Sequence, residues 1–204
     1  MILPEPFIGY IAKELTKLLG RDSCVIKDPE KVSEVIETII FEDLSLEDEI
    51  NAEARALLNQ YGDYMRAQEI AYHEMFSKVK RQILAERKVV SAAATSRDGQ
   101  RTMKIARDKV IELSHKIAAK LPRIQGTRLN NGWNDTRLEI QGHLTEILEL
   151  EEMIDQKARD MISSQKREIQ DGTEEWQILH RRYYEDELKK YGVYLTRETP
   201  AALH

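Results

Sequence analysis

The chain is short of most of the features that mark a familiar catalytic class. A single cysteine, Cys24, excludes an intrachain disulfide and fits a reducing compartment. Aromatic residues make up only 6% and charged residues 33%, with nine glycines and five prolines, a balance that suits long solvated helices better than sheets. There is no glycine-rich phosphate loop and no Gly-x-Ser-x-Gly elbow, so nucleotide binding and serine-type covalent catalysis have no support. No apolar run approaches the ~20 residues that cross a bilayer, and the start MILPEPFIGYIAKELTKLLG lacks the basic region and small-residue cleavage site of a signal peptide. The expectation is a soluble, cytoplasmic chain with no membrane partner.

Charge of one sign is scarce as well. The net charge is −5, and the first hundred residues carry 13 Lys+Arg against 18 Asp+Glu while the remainder carries 18 of each. Neither half has the basic excess that phosphate backbones attract, which disfavours nucleic acid as a partner. Basic residues do recur at Lys78, Lys80, Arg81, Arg87 and Lys88 and again at Arg97, Arg101, Lys104, Arg107 and Lys109, but few aromatics stand among them to stack on bases.

What is present is a pattern that repeats. At an offset of 104, LEDEINAEAR (Leu46 to Arg55) lies over LEEMIDQKAR (Leu150 to Arg159), and the match runs without a gap for about fifty positions, pairing Ile36 with Ile140, Ile50 with Ile154, Tyr72 with Trp176 and Leu84 with Leu188. Nearer the start a two-residue slip pairs Ile8, Ile11, Leu15 and Leu19 with Val110, Leu113, Ile117 and Leu121. Each copy reads as helix, loop, long helix, helix. The predicted fold is all-α and elongated: two duplicated three-helix units over 1–92 and 101–192, with long central helices of about 34 residues, and a tail over 193–204.

Local signals place the elements. Ile8, Ile11, Leu15 and Leu18 keep the spacing of one buried helical face, GRDSCVIKDP breaks it, and Asp28 before Pro29 is an N-cap with a first-turn proline. Val32, Ile36, Ile40, Ile50, Ala54 and Leu58 carry the stripe to Gly62; Tyr72, Met75, Phe76, Val79 and Ile83 form the third helix. SAAATSRDGQ (Ser91 to Gln100) is the joint, either a turn or a continuous helix. In the second copy PRIQGTRLNNGW is a loop, a long helix follows with Ile140 to Ile169 on one face, and Asp171 with Glu174 reads as a capping box for the last helix.

Several motifs carry little chemistry. Glu112 and His115 have the Glu-x-x-His spacing of a di-iron ligand pair, but a di-iron site needs that motif twice, and no other histidine has a glutamate three residues before it. The acidic run FEDLSLEDEINAE lacks the glycine turn of a calcium loop and reads as a solvated helix face. Cys24 alone in a loop does not make a nucleophile. No metal and no cofactor is expected.

The run GTEEWQILHRRYYEDELKKYG (Gly172 to Gly192) is more informative. At 100° per residue from Trp176, the side chains of Leu179, Tyr183, Tyr184, Leu188 and Tyr191 fan across one arc and most charges lie opposite. His180 and Glu187 break the partition by projecting into the apolar arc, where the first copy has Phe76 and Ile83. Buried ionisable groups need partners, since an unsatisfied one costs about 1 to 3 kcal/mol or more.

This run, with its Gly, Glu-Trp, Leu, Tyr-Tyr and acidic triplet, and LEEMIDQKAR upstream of it resemble the bacterial proteins catalogued as domain of unknown function 507. The resemblance is clearest over residues 135 to 192; the first copy lacks the Tyr-Tyr and the tryptophan. It implies an all-α fold and no assigned activity, so no catalytic residue follows from it. The reading is a non-enzymatic interaction or scaffold protein that binds a protein partner, or itself, through Trp176, His180, Tyr183, Tyr184, Glu187 and Tyr191. The alternative is a small-molecule or metal-binding enzyme with a site at His180 and Glu187.

Overall fold

A computed structural model describes residues 2–67, 70–92, 104–165, 167 and 169–195. Among these the chain is all-α apart from two three-residue strands. The elements run α1 (Glu5–Asp22), β1 (Cys24–Ile26), α2 (Pro29–Gln60), α3 (Gly62–Ala67), α4 (Tyr72–Arg87), α5 (Arg107–Lys120), a single 3-10 turn, β2 (Thr127–Leu129), α6 (Trp133–Ser163) and α7 (Glu174–Lys189). Helix, short strand, long helix, helix therefore occurs twice, and the offset of 104 that aligns the sequence carries the first residue of α2 onto the first residue of α6. The long helices have 32 and 31 residues, or about 48 Å each at 1.5 Å per residue.

The strands lie in the two stretches expected to be loops. They pair antiparallel with Cys24 opposite Leu129, Val25 opposite Arg128 and Ile26 opposite Thr127. Three residues are too few to write a period-two signature, and the partner stands about a hundred positions away, so neither strand is visible locally. The ladder is extended at one end by Lys27 N–H to the Gly126 carbonyl at 3.1 Å and at the other by Asn130 N–H to the Ser23 carbonyl at 2.9 Å. Gly126, at φ 84°, is required there: a Cβ would stand 3.1 Å from the Cβ of Lys27.

Helix α1 packs on both α2 and α6, α5 packs on both α6 and α2, α4 lies on α2, and α7 lies on α6. The main core draws on both halves of the chain, from Leu3, Phe7, Ile11 and Leu15 through Ile36, Ile40 and Leu44 to Leu113, Ile117, Ile140, Ile154 and Leu188. A second, small cluster of Ile50, Ala54 and Ile83 lies under α4. The two third helices are thus seated unequally: α7 buries Tyr184, Glu187 and Leu188, whereas α4 buries Ile83 alone.

Helix ends match the sequence cues in part. Asp28 caps α2 through Lys31 N–H at 3.1 Å, with Pro29 in the first turn, as expected. The cap of α7 is Thr173, which accepts from Trp176 N–H at 3.3 Å, and not Asp171; Gly172, in a left-handed turn at φ 83°, sets Asp171 outside the helix. Ile169 is likewise outside α6, which ends at Ser163, where the hydroxyls of Ser163 and Ser164 bond back to the carbonyls of Arg159 and Met161. Ser91 and Ala92 are not helical, and the rest of the joint, 93–100, lies outside the described residues, as does 196–204 of the expected tail. Val193, the first tail residue, is buried: it donates to the Leu188 carbonyl across Gly192 at φ 77°, closing a Schellman turn. The same turn ends α4, where Val89 donates to the Leu84 carbonyl, but there Lys88 occupies the left-handed position at φ 55°.

Two buried ionic groups stand where the helical pattern reads as surface. Lys109 is fully buried, and Asp43, from the acidic run expected to be solvated, is nearly so. The Lys109 ammonium lies 2.9 Å from Asp43 Oδ2 as an ion pair, without the alignment of a hydrogen bond, and 2.8 Å from Glu112 Oε2. Lys116 closes the ring, 2.7 Å from Asp43 Oδ1 and 2.8 Å from Glu112 Oε1. Burial pulls the Lys116 pKa down, but its bonds to Asp43 and Glu112 outweigh that and leave it raised. The ring fastens α5 to α2. With the two-residue slip Lys109 falls on Phe7, and at offset 104 Asp43 falls on Ile147, so equivalent helix pairs are joined ionically in one place and by apolar residues in the other.

Two stability measurements follow. Lys109→Met leaves Asp43 buried without its one fully buried ammonium partner and should lower the unfolding free energy by about 3 to 5 kcal/mol, while Asp43→Leu/Lys109→Met recovers most of it; chemical denaturation of the three proteins checks this. Lys88→Gly removes an L side chain from the left-handed region and should raise stability by up to about 1 kcal/mol, read in the same experiment.

Candidate functional site

The site is built on one face of α6. Glu151 and Asp155 are four residues apart, so both carboxylates point the same way, toward α7 and toward Lys104 at the near end of the segment that leads into α5. Glu151 is fully buried. It accepts from the Lys104 ammonium at 2.5 Å and from the Tyr184 hydroxyl at 2.5 Å through Oε1, while Oε2 has no partner. Lys104 also reaches Asp155 Oδ1 at 3.1 Å and stands 5.0 Å from the centroid of the Tyr184 ring. Asp155 takes a further bond from Arg159 Nε at 2.7 Å.

His180 enters this cluster from α7. Its ring lies between two aromatics, 4.7 Å from Trp176 at an interplanar angle of 9° and 5.9 Å from Tyr184 at 16°. Its Nε2 is 3.2 Å from Asp155 Oδ1, close but not aligned for a hydrogen bond. The Arg159 guanidinium covers the outer aromatic, 5.2 Å from the Trp176 ring. A cavity of about 400 Å³ opens beside the cluster, lined by Lys104, Asp155, His180, Tyr184 and the N-terminal residues Leu3 and Glu5.

The electrostatics follow from burial among alternating charges. Burial pushes the Tyr184 phenol far above its ordinary range, and the Glu151 carboxylate adds to the shift. Burial also raises Asp155, but the hydrogen bonds and charges of Arg159 and Lys104 overcome it and hold the acid below its ordinary value. Glu152, beside them, is raised by burial and by the charges of Asp155 and Glu151. For His180 burial disfavours the imidazolium, and although Asp155 opposes this, Arg159 and Lys104 reinforce it, so its pKa is lowered.

The six residues singled out from sequence are only partly brought together. Trp176, His180 and Tyr184 form one stacked row. Tyr183 stands apart and its hydroxyl accepts from Gln165 Nε2 at 2.7 Å. Glu187 is buried and is met by the Lys190 ammonium one turn on; His180 and Glu187 have separate partners, as their separation of about 10 Å along the helix requires. Tyr191 is half-buried and packs against the main core, its charge contributing to the raised pKa of Tyr10 after burial and Glu14. Tyr184 and Glu187 thus face inward.

The sequence pointed to neither carboxylate, and to Lys104 only as one member of the basic strip. One signal was present: Glu151 lies over Glu47 in the aligned segments. Glu47 is also buried and accepts from Lys80 Nζ at 2.6 Å, from Ser91 Oγ at 3.2 Å and from Ala92 N–H. Burial raises its pKa but these donors, Lys80 foremost, bring it below the ordinary value. Lys80 is the counterpart of Tyr184, so both halves bury a glutamate against the same position of the third helix.

Other candidates resolve into structure. Glu112 bonds Lys109 and Lys116, and His115 tilts against Trp133 at 5.6 Å. Among the described residues no group of three His, Cys, Asp or Glu could hold a metal ion. Cys24 is buried in β1, and burial with the nearby Glu139 pushes its thiol up to about 11. Of the basic strip, Lys80, Arg87, Lys104 and Lys109 are engaged by carboxylates, and Arg97 and Arg101 lie outside the described residues. No described helix is long and apolar enough to cross a membrane.

The model of a family described as protein of unknown function (DUF507) matches residues 1–193. The chain belongs to that family. It matches no curated protein.

The lowered His180 pKa makes a pH-dependent contribution with a definite sign. The unfolded imidazole titrates near 6.5, the folded one lower, so the neutral ring stabilises the fold above about pH 6.5 and that contribution is lost as pH falls through the folded value. His180→Phe, which installs the counterpart residue Phe76, should flatten the fall in melting temperature between about pH 7.5 and pH 5.5. Equal slopes in the two proteins would show that His180 does not carry the effect.

Proposed function

We propose that the protein works without turnover as a helical interaction module, built as an internal duplication, and that it binds a protein partner along the edge of α7. The observation that carries this reading is the stacked row ending in Trp176. That indole is half-exposed, yet it is fixed by His180 on one side and Arg159 on the other. A rigid aromatic beside an arginine gives a partner large contact area at little ordering cost, the composition that binding hot spots use. Of the six residues, Tyr184 and Glu187 seat the helix, and Trp176, His180, Tyr183 and Tyr191 form its accessible edge, with the strongly exposed Ile178 on the outer face.

The charges around His180 support the same reading, because they neutralise one another: Lys104 bridges Glu151 and Asp155, and Arg159 holds Asp155 from the other side. One observation favours a second reading, a small ligand in the adjoining cavity: His180, which lines it, has a buried Nε2 with no hydrogen-bond partner.

Affinity capture on the native protein, followed by quantitative binding to the captured partner, tests the first reading. Trp176→Ala should weaken that binding by at least about thirtyfold, the size of a hot-spot loss, while the melting temperature moves only a few degrees. Unchanged affinity for Trp176→Ala, or a small ligand found by native mass spectrometry and lost in His180→Ala, would transfer the function to the cavity.

A further inference from the structure

Between α2 and α4 lies an open trough of about 390 Å³ whose apolar lining includes Leu57, Tyr61, Met65, Met75, Val79 and Ile83. The corresponding positions of the second half are filled differently. There the positions of Tyr61 and Val79 are held by Gln165 and Tyr183, which bond to each other across the gap, and the position of Ile83 is held by Glu187. The trough is also the place where the core is thinnest, since the cluster beneath it has three buried residues and leaves Leu57 and Tyr61 at 39% and 58% exposure. Two thioethers give the lining the adaptability of surfaces that accept a helix.

The rim is acidic. Glu53 on α2 and Glu86 on α4 border the trough, and among the described residues no lysine or arginine lines it. Arg87 offsets Glu53, while Glu86 is exposed and accepts from Gln82 Nε2. The counterparts of these two glutamates at offset 104 are Lys157 and Lys190, so the sign of the rim is reversed between halves and is not a by-product of the shared helical pattern.

We infer that this trough is a second docking surface, and that its occupant is an amphipathic helix of a partner protein with lysine or arginine flanking its apolar stripe. The open, elongated shape suits a helix: the lining spans about 12 Å of α2 and about 17 Å of α4, the length of two to three helical turns. The inference rests on reading the protein as an interaction module but not on the edge of α7, which lies on the other half.

The test uses the full chain and synthetic helical peptides of about 16 residues that share one leucine stripe and differ only in lysine, glutamine or glutamate flanks. Methyl NMR of Met65 and Met75 reports the site, and fluorescence anisotropy gives affinity. The lysine-flanked peptide should shift both methyls and bind at least about tenfold tighter than the glutamate-flanked one at low salt, with the gap closing as salt is added. Glu86→Lys should narrow or reverse that order, Leu57→Lys should remove binding without unfolding the protein, and Trp176→Ala should leave it unchanged. Methyls that no peptide shifts, or a flank preference indifferent to Glu86→Lys, would overturn the inference. So would a dimer in sedimentation that Leu57→Lys dissociates, since the trough would then belong to a second copy. If peptides fail while partner binding still depends on Trp176, only the trough is rejected; if the reverse holds, only the α7 edge is.

Discussion

Two carboxylates placed in the middle of long helices, Glu47 and Glu151, organise much of what surrounds them. A buried acid without donors costs more than a domain of this size can spare, so each has drawn polar groups from the third helix and from the chain flanking the joint. Glu47 takes Lys80 from α4 and Ser91 and Ala92 from the chain after it; Glu151 takes Tyr184 from α7 and Lys104 from the chain before α5. The two ends of the joint are then brought together, Ala106 donating to the Ala92 carbonyl at 2.8 Å. Apolar packing alone would leave the third helices free to slide by a turn along α2 and α6. Directional bonds to a fixed carboxylate do not.

A chain that repeats its own pattern faces the complementary problem of telling its halves apart. Helices α1 and α5 have similar apolar stripes, and each must choose the long helix of the other half as its second neighbour. The ionic ring of Lys109, Asp43, Glu112 and Lys116 supplies that choice: α5 in the place of α1 would bury Lys109 against Ile147, and α1 in the place of α5 would set Phe7 against Asp43. Either exchange strands a buried charge. Such a ring contributes little net stability over an apolar contact of the same volume, and its value lies in making the wrong pairing costly.

Much of this was legible in the residues and some was not, for identifiable reasons. Helix spans followed from three-to-four spacing, because α2 and α6 are long enough for a 3.6-residue period to repeat many times. The wheel of the last helix placed Glu187 on the inward arc, where it is buried, and His180 beside it, where it is half-buried, since that inference needs only the geometry of one helix. It gave no partners, because Asp155 and Lys104 come from other segments and nothing in a single helix encodes them. Asp43, Glu47 and Lys109 read as solvated for the same reason: a charged residue in a helix is surface by default, and only its opposite number across the fold reveals otherwise. The strands were hidden by their brevity.

The two buried glutamates differ in the source of their counter-charge. In the first half the buried glutamate receives its ammonium from the third helix, through Lys80, and the neighbouring positions on α2 and α4 remain Asn51 and Phe76. In the second half the position of Lys80 is Tyr184, which donates a hydrogen bond but no charge, and the ammonium arrives from Lys104. A lysine that reaches in from outside the helix pair needs a second anchor, and Asp155 provides it where the first half has Asn51. His180, in the place of Phe76, then keeps the flat ring that stacks on its aromatic neighbour while presenting a nitrogen to the new carboxylate. His180, which stood out in the last helix, thus belongs with the carboxylates that Lys104 bridges, whereas Glu187 is met by Lys190. Tyr184 and Leu188 join α7 to the main core, while α4 is held on α2 by Ile83 and by the pairs of Lys80 with Glu47 and Arg87 with Glu53, over a smaller apolar cluster.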